Sequence, residues 1–391
     1  MKAMTMILLS SLWMTTVQAL PLPVQTIKAY DCLSCEALSH DTLLARWPVK
    51  DELLPFQNKP LQRSQKYQIK ASLKELRSGV RIYTTAPGAI IRIAPMGSKT
   101  TLESEFRIKN ASGQEFFLSE ASALFSKEEA LNNTAFAGKS LALAQLKPEL
   151  GFGEFLITNR SVDQDEEAQF SIHVFDKNSS IFLTLETDKS LYHYGEQLTA
   201  KLSLEDDEID YSMDIVDLTL VSPDGEKIPL VTSSQDPSHF QAKIRLNSEK
   251  NSQGENWYIE ATVTSLLGGQ TLYREVHSAF SYAIPSASIT DLFFVNATNL
   301  SFAVAINVAT PSRYGLQAVL FGTDSQGLKH PIQTAQSSAW LIKGKNKLNF
   351  SFDSSLTSHY KAPYYLGYIQ LTDFGQFKPV YQYNHPIKLN I

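Results

Sequence analysis

At 391 residues the chain has room for two or three domains of ordinary size, and 43% hydrophobic with 19% charged residues describes a chain that builds cores. Eighteen glycines and seventeen prolines without a period exclude collagen-like and low-complexity readings. Two cysteines exclude a disulfide scaffold and a four-cysteine zinc site, and the net charge of −5 argues against nucleic-acid binding.

The chain opens on a secretory pattern. Lys2 supplies the positive region, Ile7 to Met14 the apolar region, and Val17-Gln18-Ala19 a small-residue cleavage site. This predicts a signal peptide over 1–19, cleavage after Ala19, and a secreted or periplasmic protein beginning at Leu20. The apolar run is too short to span a bilayer, and no later segment qualifies, so no transmembrane segment is expected. Next comes Cys32-Leu33-Ser34-Cys35. It lacks a clear parallel strand in front and a surrounding βαβ pattern, so a small structural disulfide between Cys32 and Cys35 is expected rather than a redox pair.

Two stretches carry helical spacing, Cys32 to Arg46 and Ser119 to Asn132. Elsewhere after residue 65 short β-branched and aromatic runs alternate between Gly, Pro, Asn and Asp clusters, which is the sandwich pattern. Pro87-Gly88 suits a type II turn. Leu218 to Leu230 reads as a hairpin around Pro223-Asp224-Gly225, and Ala318 to Ile332 repeats it around Asp324 to Gly327. A weaker copy runs from Phe106 to Leu118 around Ser112-Gly113. The repeat spacing of about a hundred residues matches an immunoglobulin-like unit. Net charge also varies along the chain: +3 over 20–159, −13 over 160–290 and +4 over 291–391. The fold expected is mostly β: three tandem β-sandwich, Ig-like units, the first α+β with short helices. Their expected bounds are 20–178, 179–285 and 286–391, and the middle one is expected to fold alone.

The segment Thr187 to Leu202 carries a Thr-Asp-Lys, Tyr192, and a Gly195-Glu196 turn leading into an alternating strand. It resembles the second domain of the α2-macroglobulin family and related bacterial Ig-like modules. The resemblance implies a loop crossing between sheets, with Tyr192 packed beneath it and Gly195 taking the turn; it implies fold and not protease trapping. Tyr194 stands where that family's thioester cysteine would be, so no thioester forms. In domain order the chain also resembles a family of exported Gram-negative proteins of unknown function, including type II secretion substrates of Legionella.

Local catalytic motifs are absent: there is no His-x-x-x-His pair, Gly-x-Ser-x-Gly elbow or phosphate loop. Glu205, Asp206, Asp207, Glu208 and Asp210, followed by Asp214 and Asp217, place seven carboxylates in thirteen residues. Such density is either a solvated acidic loop, one that docks on the basic first unit, or a Ca²⁺ site joined by Asp163, Asp165, Glu166 or Glu167. Tyr364, Tyr365, Tyr368, Tyr381 and Tyr383 crowd the end of the chain, as a core and seam or as exposed rings for a ligand. The expectation is a non-catalytic binding or adhesion protein acting outside the inner membrane on a protein or glycan at a cell surface. The alternatives are a secreted hydrolase with a catalytic first unit, and a chaperone-like or structural partner of another exported protein.

Overall fold

The structure, a computed structural model, describes residues 18–20, 22–49, 60–97, 106–127, 141–160, 166–250, 254–296 and 299–389. Residues 1–17 of the expected signal peptide 1–19, Asp163 and Asp165, and residues 128–132 of the second helical stretch lie outside the described residues. Strands dominate, and Leu73–Ser78 is the one α-helix among the described residues. No helix among them is long and apolar enough to cross a membrane.

Five sheets build three sandwiches, and these are distributed over two compact units. One unit is formed by the described residues of Lys59–Leu246 and Glu255–Ser281. Its backbone is a ten-stranded antiparallel sheet. Four strands of that sheet, Lys66–Ser72, Gln169–Phe175, Ile90–Pro95 and Ala142–Leu146, pack on a four-stranded sheet containing Val80–Thr84 and Gly153–Asn159. Alternation sorts the side chains: Ile82, Ile91, Ile93, Ile157, Phe170 and Ile172 are fully buried between the layers.

The same ten-stranded sheet continues into the middle sandwich through Gln270–Ala283, Trp257–Leu267, Ile215–Val221 and Lys227–Pro229. The opposing layer has five strands, Thr232–Asp236, His239–Arg245, Gln197–Glu205, Phe182–Thr187 and Leu61–Ser64. Leu198, Ala200, Leu202 and Leu204 alternate inward along Gln197–Glu205. The crossing loop takes the form its sequence implies. Leu191–His193 lies in the ten-stranded sheet and Gln197–Glu205 in the five-stranded one. Between them Gly195 adopts φ +85°, and Tyr192 is wholly buried against Phe280 at 5.2 Å. The Tyr192 hydroxyl donates to Asp188 at 2.8 Å and accepts from the Lys189 amide at 3.0 Å.

The other unit holds the described residues of Met1–Asn58, Asn247–Gly254 and Tyr282–Ile391. It is one sandwich, whose core includes Phe302, Val304, Tyr314, Leu316, Leu320 and Leu371. The described residues of segment 20–48, expected in the first domain, belong to this sandwich instead, together with Gln18 and Ala19 of the expected signal peptide. Gln18–Leu20 pairs with Ala287–Asn296 at the edge of one sheet, and Leu43–Pro48 with Lys329–Leu341 at the edge of the other.

The helical spacing over Cys32 to Arg46 accordingly gives a three-residue 3-10 turn, Cys35–Ala37, and then that edge strand. Ser122–Lys127, within the second helical stretch, is also a strand, paired with Ala142–Leu146. In both places a neighbouring strand offers a full ladder of backbone partners, which outweighs a weak local preference. The three hairpins form with glycine at φ +85°, +83° and +83° at Gly113, Gly225 and Gly327.

Candidate functional site

The two halves of the ten-stranded sheet meet at one register point, Glu275 opposite Lys66. Beyond it strands Lys66–Ser72 and Gln270–Ala283 part, and the wedge opens a cleft of about 600 Å³. Its walls carry Tyr67, Gln68, Arg81, Tyr83, Thr262, Tyr273 and Glu275. Tyr273 comes from the middle sandwich yet packs on the core of the first, its ring 5.6 Å from Tyr67 and 5.7 Å from Tyr83.

Tyr67, Tyr83, Arg81 and Glu275 are held in place. The buried Tyr67 hydroxyl donates to the Tyr83 carbonyl at 2.8 Å and accepts from the Tyr83 amide at 2.7 Å. Burial pushes the Tyr67 hydroxyl well above the ordinary tyrosine range, so it stays a neutral donor. Tyr83 is raised too, by burial and then by Glu154, the residue opposite it on the next strand. Glu154 also accepts from Arg81 Nε at 3.1 Å. Burial raises the carboxyl of Glu275 against the opposing pull of Lys66, and that carboxyl accepts from the Gln68 amide.

Behind the cleft sits an ion pair with almost no solvent exposure: Arg274 Nη2 lies 3.0 Å from Asp176 Oδ2. Arg274 also donates to Ser179 Oγ at 2.9 Å and to the Ile181 carbonyl at 3.2 Å. Asp176 further accepts from the Thr85 hydroxyl at 2.6 Å and the Thr85 amide at 2.8 Å. Arg274 lies in the middle sandwich and Asp176 at the end of the first, so the pair clamps the walls in register. Pattern reading passed over this site. Its signals were an arginine inside an otherwise alternating strand and tyrosines isolated on three separate strands.

A second groove, about 900 Å³, lies over the five-stranded sheet, with Arg63, Glu186, Lys201, Glu205, Asp236 and His239 among its lining. His239 Nδ1 meets both Asp236 Oδ1, at 3.2 Å, and Ser238 Oγ, at 3.1 Å. A nucleophilic triad needs serine and carboxylate on opposite ring nitrogens, so this cluster is a turn lock.

The acidic residues next to that groove diverge. Glu205 accepts from Thr184 Oγ1 at 2.6 Å and pairs with Arg63 at 3.5 Å, and Asp207 meets Arg63 at 3.6 Å. Asp206 turns inward on its own loop, accepting from the Tyr211 hydroxyl and from the amides of Glu208 and Ile209, which hold its carboxyl below the usual range. Asp210 lies 3.9 Å from His239, and Asp214 accepts from the Leu266 amide. Glu166 pairs with Arg77 at 2.5 Å. Among the described residues no three His, Cys, Asp or Glu side chains are grouped to hold a metal ion. The described carboxylates of this loop are thus spread among the loop's own hydrogen bonds and the neighbouring Arg63 and His239.

The C-terminal tyrosines do not form one surface. Tyr381 is buried and donates to the Pro23 carbonyl at 2.8 Å, which removes it from the ligand set. Tyr364 and Tyr383 pack on the core, Tyr364 donating to the Tyr360 carbonyl at 3.0 Å. Tyr368 stacks on Phe321 at φ +49°, and Lys329 sits 4.2 Å above the Tyr365 ring. Cys32 and Cys35 are joined in a disulfide.

Models of the domains of unknown function DUF4785 match the chain three times: the N-terminal domain at 34–176, the central domain at 179–283 and the C-terminal domain at 286–390. A crystal structure of a DUF4785 family protein from Legionella pneumophila superposes with a TM-score of 0.80 at 40% identity, covering 95% of this chain and 99% of that one. Native α2-macroglobulin from E. coli aligns at 13% identity and a TM-score of 0.29, over 84% of this chain and 20% of that one. No curated protein matches the sequence.

Proposed function

The chain belongs to the DUF4785 family, and for this member we propose an exported, non-catalytic binding protein that holds a ligand outside the inner membrane. The observation that carries the reading is the tyrosine cleft between two sandwiches. Ligand sites favour domain junctions and combine aromatic walls with a few fixed polar groups, within a volume range of roughly 300–1,000 Å³. This cleft has that composition on walls locked by a shared sheet and a buried ion pair. A rigid preformed site binds without the cost of ordering its own walls. Export is supported by the pattern of residues 1–19 and by the disulfide, which persists in oxidising compartments.

Two measurements test the reading. Mass spectrometry of protein from the native host is expected to find Leu20 as the first residue. Capture from the extracellular milieu, with the protein immobilised, is expected to retain a ligand that Tyr273→Ala and Arg81→Ala variants lose. Chemical conversion of the retained molecule, or equal retention by the variants, would sink the proposal.

A further inference from the structure

We propose that the cleft takes a neutral oligosaccharide, laid against Tyr273 and Tyr83 and hydrogen-bonded by Arg81, Gln68 and Glu275. This names the ligand class of the site just described and rests on that reading.

Three features choose this class. The first is the state of the backbone. A wedge between diverging strands offers unpaired amides to an incoming peptide strand, the mode by which extended peptides add to sheets. Here the Gln68 amide on one of the diverging strands is taken by Glu275, and the Tyr83 amide on the edge of the facing sheet by Tyr67. The cleft also presents ring surface and side-chain polar groups to a ligand.

The second is charge. Arg81 is engaged by Glu154 at 3.1 Å, Arg274 is buried against Asp176, and Glu275 faces Lys66. The cleft's positive groups are each matched by a carboxylate, so it offers no excess charge to a phosphate, a nucleic acid or a uronic acid. The third is the type of polar group. Arg81, Gln68 and Glu275 carry planar ends with paired donors or acceptors, which suit adjacent hydroxyls, and Thr262 adds one more hydroxyl. Tyrosine rings supply the apolar face against which the C–H side of a pyranose stacks.

The test uses the full mature chain. Calorimetric titration with neutral cello-, chito- and malto-oligosaccharides is set beside polyuronate fragments and extended proline-rich peptides, at low and high salt. Binding by a neutral sugar that changes less than about twofold with salt is expected. On the order of tenfold weakening is expected in Arg81→Ala, an exposed position whose loss leaves the core intact, and in Tyr273→Ala. A peptide or polyuronate that binds and is weakened by the same variants overturns the neutral sugar while leaving the binding site standing. Neutral sugar binding that neither variant alters moves the sugar elsewhere and overturns the assignment. If no probe binds and extracellular capture is empty, both the ligand class and the site fall.

Discussion

Asp373 is the most densely bonded carboxylate among the described residues of its unit. It is fully buried and accepts from Ser286 and Ser312 hydroxyls at 2.6 Å, the Gly375 amide at 2.9 Å, Tyr30 at 3.0 Å and Gln376 Nε2 at 3.1 Å. Asp373→Ala strands five donors, so a loss of about 3–5 kcal/mol is expected in chemical denaturation. Tyr30→Phe removes one of the five and is expected to cost about 1–2 kcal/mol. Gly375 closes the same pocket. A methyl group there would overlap Cys35 Sγ and lie 2.5 Å from the Tyr30 hydroxyl, so Gly375→Ala is expected to destabilise by about 1–3 kcal/mol. On the surface of the other unit, Asp236 titrates low. The Ser238 hydroxyl, then its amide and then His239 hold the carboxyl down to about 2. A depressed carboxyl stabilises the fold above its unfolded value near 4, and that contribution is lost as pH falls through the folded value. NMR titration of Ser238→Ala is expected to show the Asp236 midpoint moving up toward the ordinary range. An unchanged midpoint would assign the shift to the other donors.

At the scale of elements, what was legible depended on how local the cause was. The three hairpins were readable because Gly113, Gly225 and Gly327 sit where a turn needs φ > 0, between alternating strands. The crossing loop was readable because Tyr192, Gly195 and the strand after them lie within one short stretch. The helix Leu73–Ser78 could have been read and was not. Ser72-Leu73-Lys74-Glu75 is a capping box, with Ser72 Oγ accepting from the Glu75 amide at 3.2 Å and Glu75 accepting from the Ser72 amide at 2.7 Å. Ser72→Ala is expected to cost about 1 kcal/mol, read as a shift in the denaturation midpoint. Leu43–Pro48 could not be read locally, because its partner strand begins almost three hundred residues later. A segment that borrows its hydrogen bonds from a distant edge leaves only a weak imprint on its own spacing. The cleft was illegible for the same reason: Tyr67, Tyr83 and Tyr273 meet only because two sheet halves join at a single register point.

At the scale of the molecule, the boundary expected near residue 178 agrees with the family models, which end one domain at 176 and begin the next at 179, yet one sheet runs through both domains. Leu61–Ser64 precedes the first sandwich in sequence yet serves as an edge strand of the middle one, paired with Phe182–Thr187. Arg274, wholly buried in the middle sandwich, has its counterion at Asp176 of the first. Expressed alone, residues 179–285 would keep the arginine and lose both the carboxylate and the edge strand. Removing one partner of a buried pair costs about 3–5 kcal/mol, a large share of a small domain's stability. The same logic makes the pair a test of coupling. In the full chain, Asp176→Ala leaves Arg274 charged without its ion partner, and Arg274→Met leaves Asp176 with only its Thr85 and Ala86 donors. Hydrogen exchange followed by mass spectrometry is expected to show faster exchange in either variant on both sides of the seam, in Ile90–Pro95 and Gln169–Phe175 as well as in Gln197–Glu205 and Trp257–Leu267. The double variant is expected to recover part of the protection, because no charge is then buried without a partner. Faster exchange confined to the middle sandwich would mean that the shared sheet joins two independently stable domains, and the clamp would then be local to the cleft.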